Sequence, residues 1–207
     1  MTNPPDAAPV EGADPLWRGG WYRFARALPS PNFNARPANA VIDLIVIHAI
    51  SLPPGVYGGG AVQRFFTNRL DWSAHPWFEQ IRGVEVSAHF YIERSGALWQ
   101  FVSCDDRAWH AGASHWRGRD GCNDDSVGIE LEGADGDRFT SEQYEALAAV
   151  CTVLAQRYPI GHVAGHQHIA PARKWDPGAG FDWRLLQAHL GWPDRYFPEG
   201  ILNSRLG

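Results

Sequence analysis

The chain has 207 residues and a mass of 23.0 kDa, with 44% hydrophobic residues, 20% charged residues and a net charge of −5. At this length a single domain with long loops is expected, and folding withdraws roughly 70% of the unfolded surface from water, so no disulfide or metal staple is needed. The composition excludes disorder as the main state, no apolar run reaches the length of a membrane span, and a pI near 6.0 opposes a nucleic-acid-binding surface.

Residues 1–20 are rich in Pro, Ala and Asp and read as a mobile arm ahead of one domain over 21–207. The arm has acidic residues at Asp6 and Glu11 and no apolar stretch, which is not the pattern of a secretory signal. Cys104, Cys122 and Cys151 are odd in number, scattered and outside any CxxC pair. That usage fits reduced thiols and a cytoplasmic location. Val41–His48 is almost wholly apolar and β-branched, as in a strand buried on both faces. A short helix is expected over 61–68, then a loop through DWSAHPW without periodicity. Val86–Arg94 and Ala97–Val102 read as two strands joined at Ser95-Gly96. Ser126–Glu132 (SVGIELE) alternates, with Val127, Ile129 and Leu131 facing one way and Gly128, Glu130 and Glu132 the other. Thr140–Arg157 is the strongest helix: Thr140 and Gln143 form a capping box, and Tyr144, Leu147, Ala148, Cys151, Leu154 and Ala155 make one apolar stripe. A short strand near 162–166, a loop over 170–180 and a helix over 183–190 capped by Asp182 complete the order. Strands interleaved with helices predict an α/β fold, with a mixed central sheet flanked by helices.

The chemistry gathers in a few places. His48 closes a buried strand beside the loop Ser51–Gly55, where α/β folds tend to build sites, though a lone histidine there is more often structural. The same holds singly for His75, His89, His110, His115, His162 and His189. The stretch GHQHIAPARKWDPG places His166 at another strand end and Asp176 ten residues later. Two imidazoles and a carboxylate, His48, His166 and Asp176, are a donor set that leaves one position open on a zinc ion. Glu130 is a carboxylate on a strand otherwise fit for burial, a setting that raises its pKa and suits proton transfer; the bland alternative is a solvent-facing strand. Of 18 basic residues 17 are Arg and the single Lys is Lys174, two positions before Asp176. A compact ammonium differs in kind from a planar guanidinium. Ten Trp are consistent with aromatic cleft walls or with core packing.

HAISLPPG, SAHFYI, WHAG, CNDDSVGIELEG and GHQHIAPARKWDPG occur in that order, and over residues 20–192 the chain resembles the zinc-dependent N-acetylmuramoyl-L-alanine amidases, in particular the subgroup acting on 1,6-anhydro-muropeptides. The resemblance implies a mixed sheet with a groove over it, a Zn2+ held by His48, His166 and Asp176, and Glu130 and Lys174 as catalytic groups. It implies hydrolysis of the amide between the lactyl group of (1,6-anhydro-)N-acetylmuramic acid and L-alanine in cytoplasmic peptidoglycan recycling, a step linked to β-lactamase induction. The partner is then an anhydro-muropeptide, with no nucleic acid and no membrane, and the chain is expected to be a monomer. Trp109 matches a groove-lining position. Ala49 stands where the subgroup commonly has Asn, Glu85 and Gly121 where it has Arg, and Arg119 is the expected substitute on the substrate side. These departures bear on sugar preference and on affinity for anionic muropeptides. His168 is a second histidine in the same stretch, but His166 fits the GHxxIAP frame. The alternatives are a non-catalytic muropeptide-binding module and an amidase acting on intact periplasmic murein.

Overall fold

The computed structural model of the chain describes residues 14–203. Six strands make one sheet: β1 (Arg26–Ala27), β2 (Leu44–Ile50), β3 (Phe90–Ile92), β4 (Leu98–Gln100), β5 (Ser126–Glu132) and β6 (His162–Gly165). Their spatial order is β6-β2-β5-β3-β4-β1. The neighbours β6, β2, β5 and β3 run parallel, β4 is antiparallel to β3, and β1 is parallel to β4, so the sheet is mixed. Around it lie helices α1 (Ala61–Phe66), α2 (Ser141–Arg157), α3 (His166–Ile169) and α4 (Trp183–Leu190).

The central strands β2 and β5 are covered on both faces, which is why their apolar residues run almost unbroken. On one face Ile45, Ile47, Val127, Ile129, Leu131 and Val163 pack with Leu147, Cys151 and Leu154 of α2 and Leu186 of α4. On the other, Leu44, Val46 and Ala164 meet Ala111, Cys122 and Ile169. Each fully buried Leu or Ile of this kind contributes roughly 1.5–3 kcal/mol of transfer free energy. Helix α2 begins as its sequence dictates. Thr140 Oγ1 accepts from Gln143 N–H, and the Gln143 side chain accepts from Thr140 N–H.

Several elements differ from expectation. The arm does not extend to residue 20. Trp17 is 4% exposed in the main core, and Trp17–Arg18 pairs with Trp21–Tyr22 as a small antiparallel ribbon. A large indole has too much apolar area to leave in water. Residues 1–13 lie outside the described residues. The strand expected over 86–94 shortens to β3, because Ser87 N–H donates to Trp109 O and not to the neighbouring strand β5. The 70–83 loop contains two 3-10 turns, Trp72–Ala74 and Pro76–Ile81, and buries Phe78. All three cysteines are buried and free. No helix among the described residues is long and apolar enough to cross a membrane.

Candidate metal centre and active-site cleft

Parallel register builds the site. β2 and β5 align so that His48 stands beside Glu130, and β6 ends with Gly165 opposite Ile47, bringing His166, the next residue, level with His48. These are the carboxyl ends of parallel strands, where the chain leaves the sheet and opens a crevice. Along β5 the period of two sends Val127, Ile129 and Leu131 toward the helices and leaves Glu130 on the opposite face. Asp176 is returned to the histidines by the 170–180 loop. Gln167 fastens that loop: its N–H donates to Asp176 O (2.8 Å) and its Oε1 accepts from Gly178 N–H (3.1 Å).

Three ligand atoms converge. His48 Nδ1 lies 3.0 Å from His166 Nδ1 and 3.0 Å from Asp176 Oδ2, and His166 Nδ1 lies 3.2 Å from the same oxygen. All three residues are buried, at 1%, 3% and 6% exposure. Bonds of about 2.0–2.1 Å to a tetrahedral divalent ion place its ligand atoms about 3.3 Å apart, so this triangle has the edge of such a site. The far nitrogens are already engaged: His166 Nε2 faces Ala111 O at 3.1 Å and His48 Nε2 faces His110 Nδ1 at 2.9 Å. With the ring protons directed outward, two lone pairs and a carboxylate oxygen meet in one buried space, an arrangement that calls for a cation. Burial pushes the His48 imidazole down to about 4, against its contact with Asp176, so this ring is neutral near pH 7 as a metal ligand must be. Burial alone would raise the Asp176 carboxyl, but the two imidazoles beside it hold it below the usual carboxylate range. The residues fit a metal ion with three protein ligands and an open fourth position.

Glu130 is 8% exposed, and its Oε2 has no hydrogen-bond partner among the described residues. Burial first, and the Asp176 carboxylate second, raise its pKa well above the ordinary value; the Lys174 ammonium opposes them. This has a consequence for the metal-free protein. The unfolded carboxyl titrates near about 4.3, the folded one higher, so between the two values the folded chain holds the extra proton and stability falls as pH rises. Glu130→Gln is therefore expected to raise the Tm of metal-free protein near pH 7, with about 2–4 °C per kcal/mol relieved in a chain of this size. Thermal melts across pH 4–8 should show the gap between variant and wild type widening with pH. A gap that stays constant contradicts the raised pKa.

The triad and Glu130 lie on the floor of a cleft of about 340 Å3, with Lys174 on its rim. Ala49 and half-buried Trp109 line it, and Trp109 Nε1–H is held by Asn34 Oδ1 at 2.7 Å. Arg119 does not line it. Its guanidinium is taken by Asp43 (2.7 Å) and Asp125 (3.0 Å), because the two carboxylates just before β2 and β5, at the amino ends of these strands, outcompete open solvent for it. The arginine in the cleft is Arg173, which donates to Ala111 O and Ala113 O at 2.7 Å each. His168 is turned away from the triad: its Nδ1 accepts from Gly165 N–H at 2.9 Å and its ring packs on Trp183. Two further residues line the cleft without a role assigned from sequence: Trp175, 44% exposed between Lys174 and Asp176, and Val84, 43% exposed. An indole flanked by two assigned residues was the available signal for the first. His110, which taken singly reads as structural, touches His48.

This fold and site define a family. Residues 38–179 match the family described as N-acetylmuramoyl-L-alanine amidase, and the chain belongs to it. The protein named 1,6-anhydro-N-acetylmuramyl-L-alanine amidase AmpD from Citrobacter freundii is 48% identical over 171 residues, covering 82% of this chain and 91% of the relative. A crystal structure of a selenomethionine AmpD derivative superposes with a TM-score of 0.82 at 48% identity, covering 84% of this chain and 99% of that one. A structure of the amidase AmiD from Escherichia coli in complex with anhydro-N-acetylmuramic acid-L-Ala-D-γ-Glu-L-Lys superposes with a TM-score of 0.54 at 28% identity, covering 74% of this chain and 60% of that one.

Proposed function

We propose that the chain hydrolyses the amide between the lactyl group of 1,6-anhydro-N-acetylmuramic acid and the L-alanine of the stem peptide, with zinc on His48, His166 and Asp176, as a step in cytoplasmic recycling of peptidoglycan fragments. The observation that carries this reading is the buried triangle of His48, His166 and Asp176 beside Glu130, whose Oε2 is buried with no hydrogen-bond partner among the described residues. The substrate class follows the AmpD relatives, which match most of the chain at nearly half identity.

When bound, zinc acts as a Lewis acid that polarises a carbonyl and brings the pKa of a water toward about 7. The residues around it do the rest. Glu130 accepts the proton of the attacking water as its oxygen bonds to the lactyl carbonyl carbon. Its raised pKa keeps that proton available, and Glu130 delivers it to the alanine nitrogen as the C–N bond breaks. Lys174 carries a fixed positive charge at the cleft rim, where negative charge develops on the carbonyl oxygen. The products are a lactyl carboxylate and a free peptide amine. The apolar surfaces of Trp109, Trp175 and Val84 exclude water from the substrate and pack against its ring and peptide. The intact donor set, with Glu130 and Lys174 in the same cleft, favours catalysis over simple muropeptide binding.

Mass spectrometry of reactions with anhydro- and reduced-sugar muropeptides, with and without a chelator, tests the proposal. Expected products are the free stem peptide and the free anhydro-sugar acid, formed fastest from the anhydro substrate and abolished by chelation. Cleavage elsewhere in the peptide, or turnover indifferent to chelator, contradicts it.

A further inference from the structure

We infer that His110 is a positioning residue for the metal centre: it accepts a hydrogen bond from His48 Nε2–H and so fixes the tautomer in which His48 Nδ1 faces His166 and Asp176. The inference rests on the metal-centre reading above and adds to it the device that sets a ligand's proton.

The direction of the chain of bonds follows from its far end. Ser126 Oγ lies 2.5 Å from Cys122 O and 3.2 Å from His110 Nε2. A carbonyl only accepts, so the Ser126 hydroxyl donates to Cys122 O and its oxygen is left to accept from His110 Nε2–H. A neutral His110 ring with its proton on Nε2 presents a lone pair at Nδ1. That lone pair is 2.9 Å from His48 Nε2, which must then carry the proton of its own ring. One backbone carbonyl thus sets the protons of a serine and two histidines in sequence. The three groups are buried, at 1% exposure for His48, 9% for His110 and 0% for Ser126, and buried polar groups of this kind are satisfied by the protein partners beside them.

Two further observations show that the arrangement is built. A Cβ at Gly128 would stand 2.5 Å from His110 Cγ, so β5 carries a glycine where the ring lies against it. Asn123 Oδ1 accepts from both His110 N–H (3.0 Å) and Ala111 N–H (2.8 Å). Ala111 O is the group that faces His166 Nε2 at 3.1 Å. One asparagine therefore holds the side-chain acceptor for the first histidine and the backbone acceptor for the second. Outer partners of this kind orient ligating imidazoles, and their loss typically weakens metal binding by about 10–100-fold.

The test is zinc affinity of the purified full chain by competition with a chromophoric chelator, alongside the cobalt(II) absorption spectrum and the Tm of the metal-free protein. His110→Phe fills the space but cannot accept, and is expected to weaken zinc binding by about 10–100-fold and to alter the cobalt bands. His110→Asn, whose Oδ1 can accept from the same N–H, is expected to recover most of the loss. A folded His110→Phe protein that binds zinc like wild type overturns the inference, as does an asparagine variant no better than phenylalanine. Should the phenylalanine variant not fold, nitrogen-15 NMR of the histidine rings in zinc-loaded wild type decides. Protons on Nε2 of both His48 and His110 support the inference, and a proton on Nδ1 of either overturns it. Wild type that binds no zinc removes the metal-centre reading itself, whereas wild type that binds zinc with unaffected variants removes only the role of His110.

Discussion

Glu130→Ala is expected to leave the metal centre loaded and to lower kcat by about 100-fold or more. The separation follows from geometry. Glu130 sits beside His48 in the β2–β5 register, but its oxygens are not among the three atoms that converge. Removing it should therefore spare the ligands and take away the group that moves the proton, a loss of about 10²–10⁴-fold for general acid–base catalysis. Steady-state kinetics paired with metal analysis reads both halves. Loss of metal together with activity would make Glu130 a ligand and displace the assignment of roles. Lys174→Arg belongs to the same experiment. The two side chains share a charge but not a shape, and a forked guanidinium beside Trp175 and Asp176 should lower turnover. Near-normal activity in that variant removes the case for a compact ammonium.

Ligand substitutions should behave in the opposite way. Asp176→Ala removes the one anionic member of the triangle and leaves His48 and His166 facing each other across 3.0 Å. Two imidazoles alone do not complete a site that is otherwise three-coordinate from the protein. Both metal content and activity should be lost, with no turnover recovered at ordinary zinc concentrations.

What could be read from the chain alone followed local physics. The alternation of SVGIELE placed Glu130 on the face away from Ile129 and Leu131, and the Thr140–Gln143 pair marked the start of α2, because both signals are set by the period and the cap of a single element. Asp182 marked α4 in the same way. The lone Lys and the two histidines pointed at one site through the amidase resemblance, since 118 residues separate His48 from His166 and spacing alone does not join them. Long-range partnership stayed out of reach. Arg119 was assigned to substrate because nothing in the sequence says that Asp43 lies within 2.7 Å of it. His110 looked like any other histidine until the structure set it beside His48. The apolar weight of Trp17 was legible, but the Pro-rich composition around it outweighed a single indole.

Metal analysis of the purified chain tests the account most directly. One zinc per chain in wild type, retained in Glu130→Ala and absent from Asp176→Ala, is the predicted pattern. A wild-type protein that cleaves muropeptide at full rate with no divalent ion bound would contradict the account at its base.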